Sequence, residues 1–430
     1  MKIRSKFDGT KGMAWGLIFL LAVSTKSLSD PLPLCGVNIA GGEFWLARKT
    51  DDVTPRYGVN YSYPTKAEID YFAGKGMNFF RYQFLWETLQ PQLRTRLNQG
   101  DLDRLKTSVE YATSKKLVVL LDPHDYARYY ETDIIGGSNV SAADFADFWR
   151  RLAREFADNP YVWFGLMNEP HSMPTQQWFD DANVAIAAIR SSGAKNMILV
   201  PGNAWTGAHS WTSEDYGGES NARGILTIKD PLNYWAIEVH QYLDDDSSGT
   251  HAEVTSPTIG SERLKEFVDW CRQNKMHAFL GEFAVPVTTN GEAALDDMLS
   301  SMERDNDVWL GWSWWAAGAR WGDYLFTLEP KNGEDRTQMT WLKPHLPGTS
   351  VPQFSVSVKN GSGSCTAEAC TVSTVEAVSD NKAEVFKGWA GDTTWLKDSK
   401  SPKTTILVPF KNVEVEAVFE KRTDLAAAHE

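Results

Sequence analysis

Tyr161-Val-Trp-Phe-Gly-Leu-Met167 runs apolar and stops at Asn168-Glu169-Pro170; Met276-His-Ala-Phe-Leu280 runs alike and stops at Gly281-Glu282-Phe283. Continuous apolar runs of this length suit strands buried on both faces of a parallel sheet. A carboxylate at the end of such a strand sits at the mouth of a barrel or sheet. Two of them, distant in sequence and placed alike, are the pair that acid/base and nucleophilic cleavage of a glycosidic bond requires. Taken singly, each Glu reads as an ordinary strand-end residue.

Working outward, the strand-like run recurs eight times: Cys35–Ala40, Met77–Gln83, Leu117–Pro123, Tyr161–Met167, Asn196–Pro201, Tyr234–His240, His277–Gly281 and Val308–Trp315. Helix-like stretches lie between. Thr65-Lys-Ala-Glu68 reads as a capping box, and Ser141-Ala-Ala-Asp144 as a similar start. After the latter, Phe145, Phe148, Trp149, Leu152 and Phe156 share one helical face. Thr175–Ser192 and Ser261–Asn274 behave likewise, whereas a fifth helix near 220–229 and the last one are weak. This alternation predicts a (β/α)₈ barrel over 30–346, with a doubly wound open sheet as the structural alternative. Pro344, Pro347, Gly348 and Pro352 mark a linker, residues 347–353. Short strand-like runs from Phe354 to Phe419 predict a small all-β module over 354–420, with 421–430 as a frayed tail.

The 430 residues leave room for more than one domain, and the net charge of -13 argues against nucleic-acid and anionic-membrane partners. The 18 Trp suit a chain that covers flat apolar faces such as sugar rings, although core packing absorbs most of them. Lys2, Arg4, Lys6 and Lys11 precede the apolar run Met13–Val23 and the small-residue site Ser27-Leu28-Ser29. Residues 1–29 therefore read as a cleaved signal peptide, and the mature chain as secreted, extracellular or periplasmic, and free of the membrane. Cys365 and Cys370 are near enough to close a small loop, and Cys35 and Cys271 either pair or stay buried as thiols. No Cys/His spacing matches a zinc site, and Asp244-Asp245-Asp246 lacks the Gly and Glu of a calcium loop. No metal, no cofactor and a monomer are expected.

In a (β/α)₈ barrel the C-terminal strand ends carry the site. They read as Arg81, His124, Asn168 with Glu169, His240 with Tyr242, Glu282, and Trp314-Trp315. Chemistry then suggests roles. Glu282, near Arg81 and the Tyr242 phenol, is expected to stay ionised and act as nucleophile. Glu169, further from positive charge, is expected to act as acid and then base. Asn168 suits the hydroxyl beside the reacting carbon, and Trp315 offers a flat face under the sugar. Trp205 and Trp211 are candidate floors on the leaving-group side, with Glu43 and Phe44 at the opposite end. Trp389 and Trp395 of the module read as core aromatics rather than a sugar-binding face.

Seven blocks carry a family resemblance: Gly36-Val-Asn-Ile-Ala-Gly-Gly-Glu-Phe44, Phe80-Arg-Tyr-Gln-Phe84, Asp122-Pro-His-Asp125, Gly165-Leu-Met-Asn-Glu-Pro-His171, Glu238-Val-His-Gln-Tyr242, Leu280-Gly-Glu-Phe283 and Gly311-Trp-Ser-Trp-Trp-Ala-Ala-Gly318. Over Cys35–Leu346 the chain resembles glycoside hydrolase family 5, the cellulase family, most closely its subfamily 5 endoglucanases. The resemblance implies a (β/α)₈ barrel and retaining cleavage of β-1,4-glucan, with Glu169 as acid/base and Glu282 as nucleophile. It implies Arg81, His124, Asn168, His240, Tyr242 and Trp315 as the supporting site. The same mechanism on mannan, xyloglucan or mixed-linkage glucan is the nearest alternative. A non-catalytic polysaccharide binder is the other, and it has no need of two strand-end Glu among such neighbours.

Overall fold

The computed structural model describes residues 30–45, 55–214, 217–348 and 350–422; the expected signal peptide lies outside them. The eight apolar runs become strands β1 (Leu34–Ile39), β2 (Phe79–Phe84), β3 (Val118–Pro123), β4 (Val162–Gly165), β5 (Ile198–Pro201), β6 (Trp235–His240), β7 (Ala278–Glu282) and β8 (Trp309–Ala317). All pair in parallel and close in the order β1-β8-β7-β6-β5-β4-β3-β2, which excludes the open sheet. A closed parallel barrel has no free edge, and helices must cover its outer face.

A helix follows each strand: α1 (Lys66–Gly74), α2 (Gln99–Ser114), α3 (Ala142–Phe156), α4 (Thr175–Ser191), α5 (Asn221–Gly224), α6 (Ile259–Asn274), α7 (Gly291–Arg304) and α8 (Thr337–Leu342), with an extra helical turn at Trp86–Leu89 ahead of α2. Both predicted caps form. Thr65 Oγ1 accepts from the Glu68 amide at 3.3 Å while Glu68 Oε2 accepts from Thr65 N at 2.7 Å. Ser141 and Asp144 do the same at the start of α3, so a shorter carboxylate serves at that position. Such a cap contributes about 1 kcal/mol. On α3, Phe145, Phe148, Trp149, Leu152 and Phe156 are all buried, as their spacing predicts. The weak fifth helix is a single turn continued by a 3-10 turn at Ile225–Thr227.

Beyond the barrel, β9 (Gln353–Lys359), β10 (Gly361–Ser362), β11 (Cys365–Glu368), β12 (Val372–Ala377), β13 (Glu384–Gly391), β14 (Lys403–Leu407) and β15 (Val413–Lys421) build two sheets, ordered β11-β9-β15-β13 and β10-β12-β14. Trp389 and Trp395 are buried there. The module's core is continuous with the floor of the barrel. Phe79, Trp163, Leu199, Tyr234 and Phe279 belong to one buried cluster with Val356, Val375, Trp395 and Phe410. Phe410 meets Trp163 edge-on at 5.2 Å, and its amide donates to the Tyr234 hydroxyl at 2.8 Å. All four cysteines are unpaired: Cys35 and Cys271 are buried in the barrel domain, and Cys365 and Cys370 remain thiols.

Candidate active site

Polar residues within the apolar strands build the site from below. Arg81, expected at a strand end, lies within β2, beside Asn38 of β1, and is fully buried. Its guanidinium spans the barrel. Nη1 donates to Asn38 Oδ1 at 3.0 Å and to Glu282 Oε1 at 2.8 Å, and Nη2 to Asn168 Oδ1 at 2.8 Å. Nη2 also lies 3.1 Å from Asp122 Oδ2, and Nε 2.8 Å from Glu238 Oε1. Burial alone would weaken this cation, but Asp122, Glu238 and Glu282 hold it above its ordinary value.

Above it lie the two strand-end carboxyls. Tyr242 donates to Glu282 Oε2 at 2.8 Å, and His240 Nδ1 lies 2.6 Å from Glu169 Oε1 and 3.6 Å from Glu282 Oε2. Ligand-type atoms of Glu169, His240 and Glu282 all fall within 4.8 Å of one another. A metal could use such spacing, but Arg81, Tyr242 and His240 already occupy these oxygens, so the set reads as a proton-sharing group. The second acidic cluster, Asp244, Asp246 and His251, is likewise engaged. Asp244 accepts the amides of Gly249, Thr250 and His251, tying down its own loop.

Two electrostatic details differ from the sequence reading. Burial raises the Glu282 carboxyl above its ordinary value, and the pull of His240 and Arg81 does not cancel it. The expected donors are present, and desolvation outweighs them. Nor is Glu169 remote from positive charge. Burial would lower its neighbour His240, yet the Glu282 charge, the hydrogen bond to Glu169 and the nearby Glu238 carboxylate push the imidazole up to about 10. Glu169 itself has a left-handed backbone, φ 38°, a conformation that concentrates at functional sites.

The flanks complete the cleft. His124 Nδ1 is 2.9 Å from Asp122 Oδ2, and Asn168 Nδ2 donates to His124 Nε2 at 3.2 Å. The His124 ring stacks on Trp315 at 5.4 Å, and Trp315 meets Trp321 edge-on. Trp321 in turn packs against Phe44 and Tyr324. Glu43 is 8 % exposed. Its Oε2 accepts from Gly41 N at 2.7 Å, and its Oε1 has no hydrogen-bond partner among the described residues. Burial raises its carboxyl, and the His124 charge opposes this.

On the other side a cavity of about 460 Å³ is lined by Tyr126, Glu169, Trp205, His209, His240, Tyr242 and the 246–248 loop. Trp205 is 44 % exposed and stacks on His171 at 4.5 Å. Burial and the nearby Arg128 push His171 down to about 4, so the platform under Trp205 is uncharged at neutral pH. Trp211 is a correction. It is 1 % exposed, packed against Phe267 and Trp270 of α6, and does not line the cleft. Sequence reasoning passed over Asn38, Asp122, Glu238 and Tyr126. The available signal for the first three was a lone polar residue inside an apolar strand.

Comparison with known proteins agrees with this geometry. The profile of the Cellulase (glycosyl hydrolase family 5) family matches residues 36–318, and that of the Divergent InlB B-repeat domain matches 354–423. Endo-beta-1,4-glucanase B of Aspergillus niger is 38% identical over 305 residues, covering 71% of this chain and 87% of that protein. The endo-beta-1,4-glucanase Xac0029 of Xanthomonas axonopodis pv. citri superposes with a TM-score of 0.70 at 45% identity, over 74% of this chain and 99% of that one. The endoglucanase Cel5A of Pseudomonas stutzeri, solved with cellobiose, gives 0.67 at 34% identity, over 75% and 95%. With a closed barrel, two facing carboxyls at its mouth and a profile match across most of the barrel domain, the chain belongs to glycosyl hydrolase family 5, the cellulase family, and is a glycoside hydrolase.

Proposed function

We propose that the protein is a secreted, monomeric endo-β-1,4-glucanase that cleaves internal bonds of cellulose and soluble β-glucans by double displacement. One observation carries the mechanism: oxygens of Glu169 and Glu282 lie within 4.8 Å of each other. Retaining enzymes hold their carboxyls about 5–5.5 Å apart, whereas inverting enzymes leave room for a water. The substrate class is supported by the relatives named endo-beta-1,4-glucanases and by the cellobiose held by the Pseudomonas enzyme. Export rests on the sequence of residues 1–29, and the catalytic unit is assigned to 30–346, with the module over 354–420.

In this reading a Glu282 oxygen attacks the anomeric carbon as the bond to the leaving oxygen breaks. The proton shared by Glu169 Oε1 and His240 Nδ1 passes to that leaving oxygen. Water then attacks the same carbon, Glu169 takes its proton, and the bond to Glu282 breaks as the new C–O bond forms, with net retention. Arg81 and Tyr242 hold Glu282 in line, since each bonds a different oxygen of its carboxylate. Asn168, fixed by Arg81, faces the neighbouring sugar hydroxyl, and Trp315 with His124 forms a wall of the cleft.

An NMR time course over a panel of β-glucans, mannan and xylan reports substrate, endo action and anomeric outcome together. Release of β-anomers from internal bonds of β-1,4-glucan is expected. Inversion, or preferred turnover of mannan or xylan, overturns the proposal. Azide added to Glu282→Ala should restore turnover and yield an α-glycosyl azide.

A further inference from the structure

We propose that Glu238 is the positioning residue of this site: from one layer below the mouth it orients His240 and Arg81 against the two carboxyls above them. Glu238 lies within β6, fully buried, two residues before His240. Its Oε1 is 2.8 Å from Arg81 Nε and 3.6 Å from His240 Nε2. Neither contact is aligned as a hydrogen bond, so the interaction is one of charge at close range.

The strand that carries the nucleophile makes room for this carboxylate. A Cβ at Gly281 would lie 2.3 Å from Glu238 Oε1 and 2.9 Å from its Cγ. Gly281 does not have a left-handed backbone, so conformational freedom does not explain it. It directly precedes Glu282 in β7, and the space it leaves is filled by Glu238 from β6. The glycine of the Gly281-Glu282 motif is therefore there to admit a third, non-reacting carboxylate.

The chemistry follows from the ring it faces. His240 stands between two carboxyls, Glu169 at Nδ1 and Glu238 at Nε2. A proton held on Nε2 by Glu238 leaves Nδ1 to give or take the Glu169 proton without the ring turning. The charged groups around the pair are Arg81 from β2, Asp122 from β3 through Arg81, Glu169 after β4 and Glu282 at the end of β7. Burial opposes the Glu238 charge, but Arg81 and His240 outweigh it and hold the carboxyl below its ordinary range. Glu238 touches no substrate in this arrangement and acts only through its neighbours.

This role rests on Glu169 being the acid/base, so the test includes a readout that needs no substrate. Glu238→Gln keeps the shape and removes the charge. In the resting protein its His240 titration, followed by imidazole NMR, should fall by more than about one pH unit. On soluble β-glucan both limbs of the kcat/KM profile should move to lower pH, because a buried negative charge has gone. Gly281→Ala, which displaces the carboxylate without removing it, should lower the His240 titration and cut kcat more than KM; it serves if Glu238→Gln does not fold. An unmoved His240 titration in either folded variant, with only Tm lowered, overturns the proposal. A parent protein inactive on every glycan with a shifted His240 titration would instead sink the glucanase reading and leave the positioning role standing.

Discussion

Tyr242 gives Glu282 one of its donors, and its loss has a calculable cost. A hydrogen bond to a charged group contributes about 1.5–3 kcal/mol, so Tyr242→Phe should lower kcat roughly 10- to 150-fold with little change in Tm. The donor stabilises the ionised carboxylate. Its removal raises an already raised Glu282, so the acid limb of the kcat/KM profile should move to higher pH. Among the aromatics, burial separates two residues that the sequence treats alike. Trp205→Ala should raise KM on soluble glucan and spare Tm, since the residue is 44 % exposed. Trp211→Ala opens the core beside α6 and should cost about 3–5 kcal/mol in urea unfolding, with activity retained in the folded fraction. Both tryptophans follow β5 in one polar loop, and composition cannot say which faces in. The Glu and His positions were legible because a charged group after an apolar strand has few places to go.

At the scale of elements, period and caps were legible where the tertiary structure asks what the local sequence prefers. The α3 face and both capping boxes are of this kind. The fifth helix was not, because 220–229 forms two short turns held by a side chain from elsewhere; Asn183 of α4 donates to Thr227 O at 3.1 Å and accepts from Lys229 N at 2.7 Å. Helix α4 carries a group whose cost depends on pH. Asp181 is buried, its Oδ2 has no hydrogen-bond partner among the described residues, and a Cβ at Gly136 would lie 2.6 Å from that oxygen. Burial and Asp180 push its carboxyl up to about 7. A raised acid costs nothing below its unfolded pKa and destabilises progressively as pH rises towards the folded one. The Tm gain of Asp181→Asn should therefore grow from about pH 4 to about pH 7 and then level off. A constant Tm difference across that range would contradict the assignment.

At the scale of the molecule, the module is more than an appendage on a linker. Its Phe410 and Trp395 close the floor of the barrel around Trp163 and Tyr234, opposite the catalytic mouth. Lys116 and Glu368 form an ion pair across the same seam at 2.8 Å. Truncation after Leu346 should leave kcat/KM on soluble glucan within about two-fold at low temperature, because the site lies at the opposite end of the barrel from the module among the described residues, yet lower Tm by more than about 5 °C. An unchanged Tm would mean that the seam does not form in solution. By itself the sequence determined the number and order of the barrel strands, the stronger helices between them, and which carboxyls follow apolar strands. Those are local properties, written in runs, periods and caps. Tertiary structure alone decided that Arg81 spans the barrel beneath both acids, that Glu238 fills the gap left by Gly281, that Trp211 is core, and that the module seals the floor. Each depends on which side chains of distant strands share one layer, and that is set by the closure and register of the barrel rather than by any single strand.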